Sequence, residues 1–299
     1  MWSGIYNVGY SIPNEGDYSF KQLGAALNEA VGVGACFVEL PLYSLDVIGN
    51  GRVLPSRLKM LKAAISAHPL RYTVHGSAII NFFRDSVPLP LQKDVLKASL
   101  EVTAELGAIN YVVHSGVTED TPSDGDTETY YARQREALAE AGEIAADLGV
   151  TIVVENVQPG KPNRYTALPS RLAQELALIG NPSVRACLDF SHAVINSNLR
   201  GVDFMDEIAA LAPFASQCHV HDSFGRVTHL ETLHRAERLA FGEGDMHLPP
   251  GMGNIPWDAL LERCAFSEEN VFILEISPHY WNCLPEAMAL LRTMAAKAG

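Results

Sequence analysis

Nowhere in this chain does an apolar run approach the ~20 residues that span a bilayer, so no transmembrane helix is expected. The first residues, Met1-Trp-Ser-Gly-Ile-Tyr-Asn-Val8, lack a basic region and a small-residue cleavage site. No secretory leader is expected, and the cytoplasm is the expected location. Cysteine is sparse: five residues (36, 187, 218, 264, 283), none in a CxxC pair. Cys36, Cys187 and Cys218 fall in or beside predicted strands, where they read as small buried hydrophobes of a reducing compartment. Basic residues are also short, 22 Lys and Arg against 35 Asp and Glu, for a net charge of −13. An acidic surface repels phosphate backbones and argues against nucleic acid as a partner, although metal ions can reverse the sign locally.

What remains is a 299-residue chain, 47% apolar and 19% charged, as a well-packed globular protein should be. Strand-like and helix-like stretches alternate along it. Strands are predicted at 6–11, 35–40, 72–76, 111–115, 151–156, 184–189, 217–222 and 271–276. Helices are predicted at 19–31, 55–68, 89–106, 127–148, 168–179, 203–211, 257–264 and 284–297. Eight βα units with nearly continuous β-branched strands indicate a single-domain (β/α)₈ TIM barrel over residues 1–299. Gly107, Gly149 and Gly180 stop helices just ahead of a strand. Two βα connections are long, 41–54 and 223–256, and long loops at the C-terminal face of a barrel bind or enclose substrate.

Seven of the apolar runs end on an ionisable residue: Glu39, His75, His114, Glu155, Asp189, His219 and Glu275. In a TIM barrel those ends meet at the mouth, where active sites sit. Glu155, Asp189, His219 and Glu275 come from four successive strands. Carboxylates crowded there repel one another, and a divalent cation (Zn, Mn, Mg or Co) relieves the cost. His75 and His114 beside Glu155 read as a second metal subsite. His192, three residues after Asp189, is a ligand, an oxygen contact or a proton shuttle. Asp245 and His247 form Asp-Met-His ahead of Pro249-Pro-Gly-Met-Gly-Asn-Ile-Pro-Trp257, whose Pro and Gly residues fix a tight backbone path.

The segments Val-Val-Glu155-Asn, Leu-Asp189-Phe-Ser-His192, His219-Val-His221-Asp and Asp245-Met-His247-Leu-Pro-Pro-Gly-Met-Gly-Asn-Ile resemble the xylose-isomerase-like TIM barrels. That superfamily spans sugar isomerases and epimerases, inosose dehydratases and endonuclease IV. The resemblance implies one cation on Glu155, Asp189, His219 and Glu275, with Glu155 and Glu275 as acid and base. It also implies, from endonuclease IV, a set of nine ligands for three zinc ions: His75, His114, Glu155, Asp189, His192, His219, Asp245, His247 and Glu275. One to three ions per chain are therefore expected. Ala78 stands where endonuclease IV carries an aromatic DNA wedge, and the strand-2 loop has one acid and no base before Arg52. Glu39 and the His219/His221 pair resemble the sugar-handling members, which implies substrate contacts at Glu39 and His221. Arg226 and His192 are expected to position substrate oxygens.

Three functions follow as expectations. The first is metal-dependent isomerisation or epimerisation of a small sugar, sugar phosphate or polyol, by proton transfer beside a carbonyl, with Glu155, Glu275 and His192 catalytic. The second is a multinuclear zinc phosphoesterase of endonuclease IV type, on abasic DNA or on small phosphate esters. The third is a non-catalytic metabolite-binding barrel. A homo-oligomer is an expected partner state, as in many members of the superfamily.

Overall fold

The computed structural model describes residues 7–12, 20–264 and 266–298. The expected starts of the first strand and first helix, Tyr6 and Ser19, lie outside these residues. Eight parallel strands close into a barrel: β1 (Val8–Ser11), β2 (Phe37–Pro41), β5 (Arg71–His75), β6 (Asn110–His114), β7 (Thr151–Glu155), β8 (Val184–Asp189), β9 (Ala215–Val220) and β10 (Val271–Leu274). The remaining strands, β3 (Ile48–Gly49) and β4 (Arg52–Val53), form a hairpin in the connection after β2. Around the barrel lie α1 (Phe20–Gly32), α2 (Pro55–Ile65), α3 (Leu89–Glu105), α4 (Asp124–Leu148), α5 (Pro169–Ile179), α6 (Phe190–Arg200), α7 (Phe204–Leu211), α9 (Trp257–Arg263) and α10 (Leu284–Ala298). A short helix, α8 (Arg235–Phe241), lies in the 223–256 connection. Among the described residues, no helix is long and apolar enough to cross a membrane.

Strand register decides which side chains face the lumen, because successive residues alternate faces. Glu39 pairs with Thr73, Pro41 with His75 and His114 with Glu155. Glu155 pairs with Cys187, Asp189 with His219 and His219 with Ile273. One face therefore carries, in order, Glu39, His75, His114, Glu155, Asp189 and His219, with Glu275 two residues past Ile273. All of these point inward and all but Glu39 stand at the C-terminal mouth.

Below that ring the lumen is filled. Two small apolar clusters, Phe37 with Val271 and Ile273, and Val112 with Val153 and Cys187, are fully buried there. Between strands and helices runs the main core, which includes Leu40, Val74, Tyr111, Val154, Leu188, Val220 and Leu274. Gly9 faces the same lumen opposite Phe37, and a Cβ there would sit 2.1 Å from the Phe37 carbonyl oxygen. Only glycine lets β1 and β2 approach closely enough to shut the barrel.

Candidate metal centre

Each member of the mouth ring is held by the element that delivers it. Asp189 closes β8 and also caps α6, accepting a hydrogen bond from the His192 N–H at 2.7 Å. The start of α6 therefore fixes His192 beside Asp189. Its Nδ1 lies 3.1 Å from Glu155 Oε1 and its Nε2 lies 2.9 Å from Asp245 Oδ2.

Glu155 is the hub. Its Oε2 is 3.4 Å from His75 Nε2 and 3.3 Å from His114 Nε2, and its Oε1 is 3.4 Å from His219 Nδ1. On the far side His219 Nδ1 meets Glu275 Oε2 at 3.3 Å and Asp189 Oδ2 at 4.0 Å. Glu155, Asp189, His219 and Glu275 each offer a ligand atom within 4.8 Å of the others, and so do His75, His114 and Glu155.

Asp245 and His247 return to the mouth through a clasp on Asp222. The Asp222 carboxylate accepts hydrogen bonds from the Gly251 N–H at 2.8 Å, the Trp257 indole at 3.0 Å and the Ile255 N–H at 3.2 Å. Asp222 and Leu248 also exchange backbone hydrogen bonds, one residue beyond His247. His247 has a left-handed backbone, with φ of 49°, an uncommon conformation for a residue with a side chain. Its Nε2 lies 3.0 Å from Asp245 Oδ2, and its ring stacks on His221 at 4.1 Å.

Seven of the nine residues of the predicted ligand set line one cleft, Asp189 and His219 lie fully buried against them, and the three expected substrate contacts do not line it. Glu39 is fully buried, two residues short of the mouth on β2. Its carboxylate accepts from Gln217 Nε2 and Thr73 Oγ1 and lies 3.2 Å from His219 Nε2. It orients the imidazole so that Nδ1 faces the ring, the role of a carboxylate behind a metal-binding histidine. His221 is fully buried under His247, and its Nε2 lies 2.8 Å from Asp189 Oδ2. Arg226 is exposed and donates to the Phe241 carbonyl, because its loop turns outward before it returns at Asp245. The cation that does line the cleft is Arg235, which no sequence pattern singled out.

Electrostatics follow from the crowding. Burial alone would raise the Glu155 carboxyl, but the surrounding imidazoles, His219 and His114 foremost, hold it well below its usual range. Glu39, Asp189 and Asp245 are likewise held down against burial, chiefly by His219, by His192 and His221, and by His247 and His192. Burial opposes charge on the histidines, yet His75 rises to about 9 through Glu155 and Glu39, and His247 to about 10 through Asp245. His192 and His219 also rise well above the ordinary value.

The donors fit a divalent cation. Imidazole nitrogens and carboxylate oxygens are the ligands of Zn²⁺, Mn²⁺ and Co²⁺. Glu155 Oε2 and His219 Nδ1 are buried with no hydrogen-bond partner, and each faces the ring. A cation would satisfy both, and would displace protons from the imidazoles.

A pH test follows. An unfolded histidine titrates near 6.5 and the folded His75 near 9. The proton's contribution to folding is complete below pH 6.5 and is lost as pH rises through 9. Chelator-treated protein should therefore lose stability over that interval, by an amount on the order of a few kcal/mol. With zinc added the trend should reverse, because deprotonated imidazole is the ligand. Melting temperatures across pH 6.5–9 check this, and a rise in chelated protein would refute it.

Known proteins share this geometry's framework. A family model described as xylose isomerase-like TIM barrel matches residues 27–294. The chain belongs to that family. No curated protein matches the sequence significantly. Solved xylose isomerase-like barrels superpose over nearly the whole chain. One is an IOLI protein with a binding zinc atom, at 19% identity and TM-score 0.69, covering 98% of this chain and 97% of that one. A D-tagatose 3-epimerase-like protein aligns at 18% identity and TM-score 0.67, covering 96% and 98%. A protein from Thermus thermophilus, soaked with ZnCl₂, aligns at 20% identity and TM-score 0.65, covering 97% and 98%. At these identities the likeness is one of fold.

Proposed function

We propose that the protein is a divalent-metal-dependent isomerase or epimerase of a small sugar, sugar phosphate or polyol, working by proton transfer beside a carbonyl. The carrying observation is the convergence of Glu155, Asp189, His219 and Glu275, whose ligand atoms lie within 4.8 Å of one another, with Glu155 and Glu275 opening onto a cleft. The cleft has a volume of about 710 Å³, the size of a small-molecule site. Ser11, Tyr43, Ser77 and Ser277 line it with hydroxyls suited to a polyhydroxylated ligand. The zinc in the IOLI protein and the epimerase names among the fold's relatives support the same reading.

A divalent cation held by those four residues would supply Lewis-acid polarisation of a substrate oxygen. The other steps belong to the chain. Glu275 reaches the cleft with 19% of its side chain exposed, so its carboxylate can take a proton from the carbon next to the carbonyl. Glu155, opposite it across His219 and ionised at rest, returns to the other face a proton taken from the protonated imidazole beside it, His192 Nδ1 at 3.1 Å. His192, fixed between Glu155 and Asp245, orients the substrate oxygen. The 223–256 loop, clasped by Asp222, keeps bulk water from the reacting carbon.

The nine-residue set also supports a second reading, a multinuclear zinc phosphoesterase. His75 and His114 on Glu155, and His192 and His247 on Asp245, exceed what one cation uses. Two measurements separate the readings. One is elemental analysis of protein purified without added metal. The other is deuterium uptake into a panel of ketoses and ketose phosphates in D₂O. Uptake at the carbon beside the carbonyl is expected, with one ion per chain sufficient. Two or three zinc ions with phosphate-ester hydrolysis and no uptake would overturn the isomerase in favour of the esterase.

A further inference from the structure

We infer that Arg235 forms an anion subsite at the edge of the cleft, and that the ligand carries a phosphate or carboxylate group. This rests on the proposed isomerase only for the reaction; the subsite stands on its own geometry. Arg235 is the only Arg or Lys among the described residues lining the cleft. Its guanidinium is pinned on two sides: Nη1 donates to Ser277 Oγ at 2.7 Å and Nη2 to the Met246 carbonyl at 2.8 Å. It also lies 5.0 Å over the Tyr280 ring, which fixes its plane.

A guanidinium carries five N–H donors, and each of the two terminal nitrogens keeps a second hydrogen for a ligand. Ser277 adds one more donor. Its oxygen accepts from Arg235 and from the His279 N–H at 3.4 Å, so its own hydrogen is available to donate. Arg235 therefore presents a preset fork of positive charge beside a hydroxyl donor, a geometry that matches two oxygens of one anion.

Charge balance supports an anion over a neutral polyol. Among the described residues no carboxylate oxygen lies within ion-pairing distance of Arg235; Arg57, Arg71 and Arg200 also lack an ion pair, but of these only Arg235 stands in the cleft. A cation placed in a cleft with Glu155, Asp245 and Glu275, yet paired with none of them, is free to take an outside anion. The cluster would hold the carbonyl end of the ligand and Arg235 its charged end. Register along the cleft would then follow from the two anchors.

The test uses metal-loaded protein and calorimetry with three probes: a hexulose phosphate, the free hexulose and a hexonate of the same chain length. Wild type should bind at least one anionic probe on the order of tenfold tighter than the free hexulose, the worth of hydrogen bonds to a charged group. Which anion binds tighter tells phosphate from carboxylate. Arg235→Gln should remove that preference and leave the free-hexulose affinity and the metal content unchanged, and Arg235→Lys should restore part of it. Equal binding of all three probes by wild type would overturn the subsite. So would a preference that survives Arg235→Gln, since the metal cluster would then be the anion's partner. Uniform weakening, or metal loss, in Arg235→Gln would assign the residue to bracing Met246 and Ser277 instead. Arg235-dependent anion binding without deuterium uptake would keep the subsite and sink the isomerase.

Discussion

Glu155→Gln is expected to strip the protein of most of its metal. The carboxylate touches His75, His114, His192 and His219, at 3.1–3.4 Å, so it is shared by the His75–His114 group and by the Asp189–His219–Glu275 group. No other residue at the mouth has that many partners among the predicted ligands. A glutamine keeps the size but not the charge, and an amide is a poor ligand for a cation ringed by imidazoles. Loss of an outer partner of a metal ligand already costs about 10–100-fold, and loss of the hub should exceed 100-fold in metal affinity and in turnover. Metal per chain after gel filtration, with the melting temperature measured with and without zinc, checks this. Wild-type metal content in the glutamine variant would remove Glu155 from the ligand set.

Glu275→Gln should have the opposite signature. Glu275 is one of three carboxylates around His219 Nδ1 and is the most solvent-reachable of the four residues in that group. Its neighbours Glu155, Asp189 and His219 are 1% exposed or less and can hold a cation without it. The variant should keep metal but lose deuterium uptake from D₂O by about 10²–10⁴-fold, the range for removing a general base. Exchange at the wild-type rate in a metal-replete variant would refute the proton role.

The barrel was legible in the sequence because two periods are written plainly there. Apolar strands of four to six residues recur between helices, and seven of the eight barrel strands carry a His, Asp or Glu at or within two residues of the C-terminal end. Since side chains alternate, those seven residues face the lumen once the barrel closes. Strand and helix ends moved by one to three residues, as with α4, which starts at Asp124 under the Ser123 cap rather than at Thr127. Three elements escaped. The hairpin β3–β4 has only two residues in each strand, too few for an alternation to be read. Its Asn50-Gly51 turn, with φ of 47° and 71°, was nevertheless a hairpin signal. Helix α6 begins directly on Asp189, so one residue ends a strand and caps a helix, and the strand reading hid the cap. Helix α8 is capped by a histidine, His234, outside the usual capping residues.

The site was legible in its residues and less so in its depth. Glu39 looked like a mouth residue because it ends an apolar run, but β2 continues through Leu40 to Pro41 and leaves it one layer down. Arg226 follows the His219-Val-His221-Asp222 run in sequence, yet it lies on the outward part of the loop, against the Phe241 carbonyl. Arg235 lies further into a loop whose path no local pattern dictates. Tertiary contacts to Ser277 and Met246, not sequence spacing, bring it to the cleft.

The clasp on Asp222 has a consequence for how this barrel can change. It binds the far end of the long connection, at Leu248, Gly251, Ile255 and Trp257, directly to the end of β9. Asp245 and His247 are thus anchored from behind, with a further tie from Arg235 Nη2 to the Met246 carbonyl between them. The stretch from Arg226 to Gly244, closed at its base by the hydrogen bond from the Gly244 N–H to the Arg226 carbonyl, is an excursion whose length adds little entropy of closure. That excursion carries Arg235 but none of the nine proposed metal donors. On the proposed assignments, the anion subsite and the metal donors lie on different stretches of one loop, and changes in the first can leave the second in place.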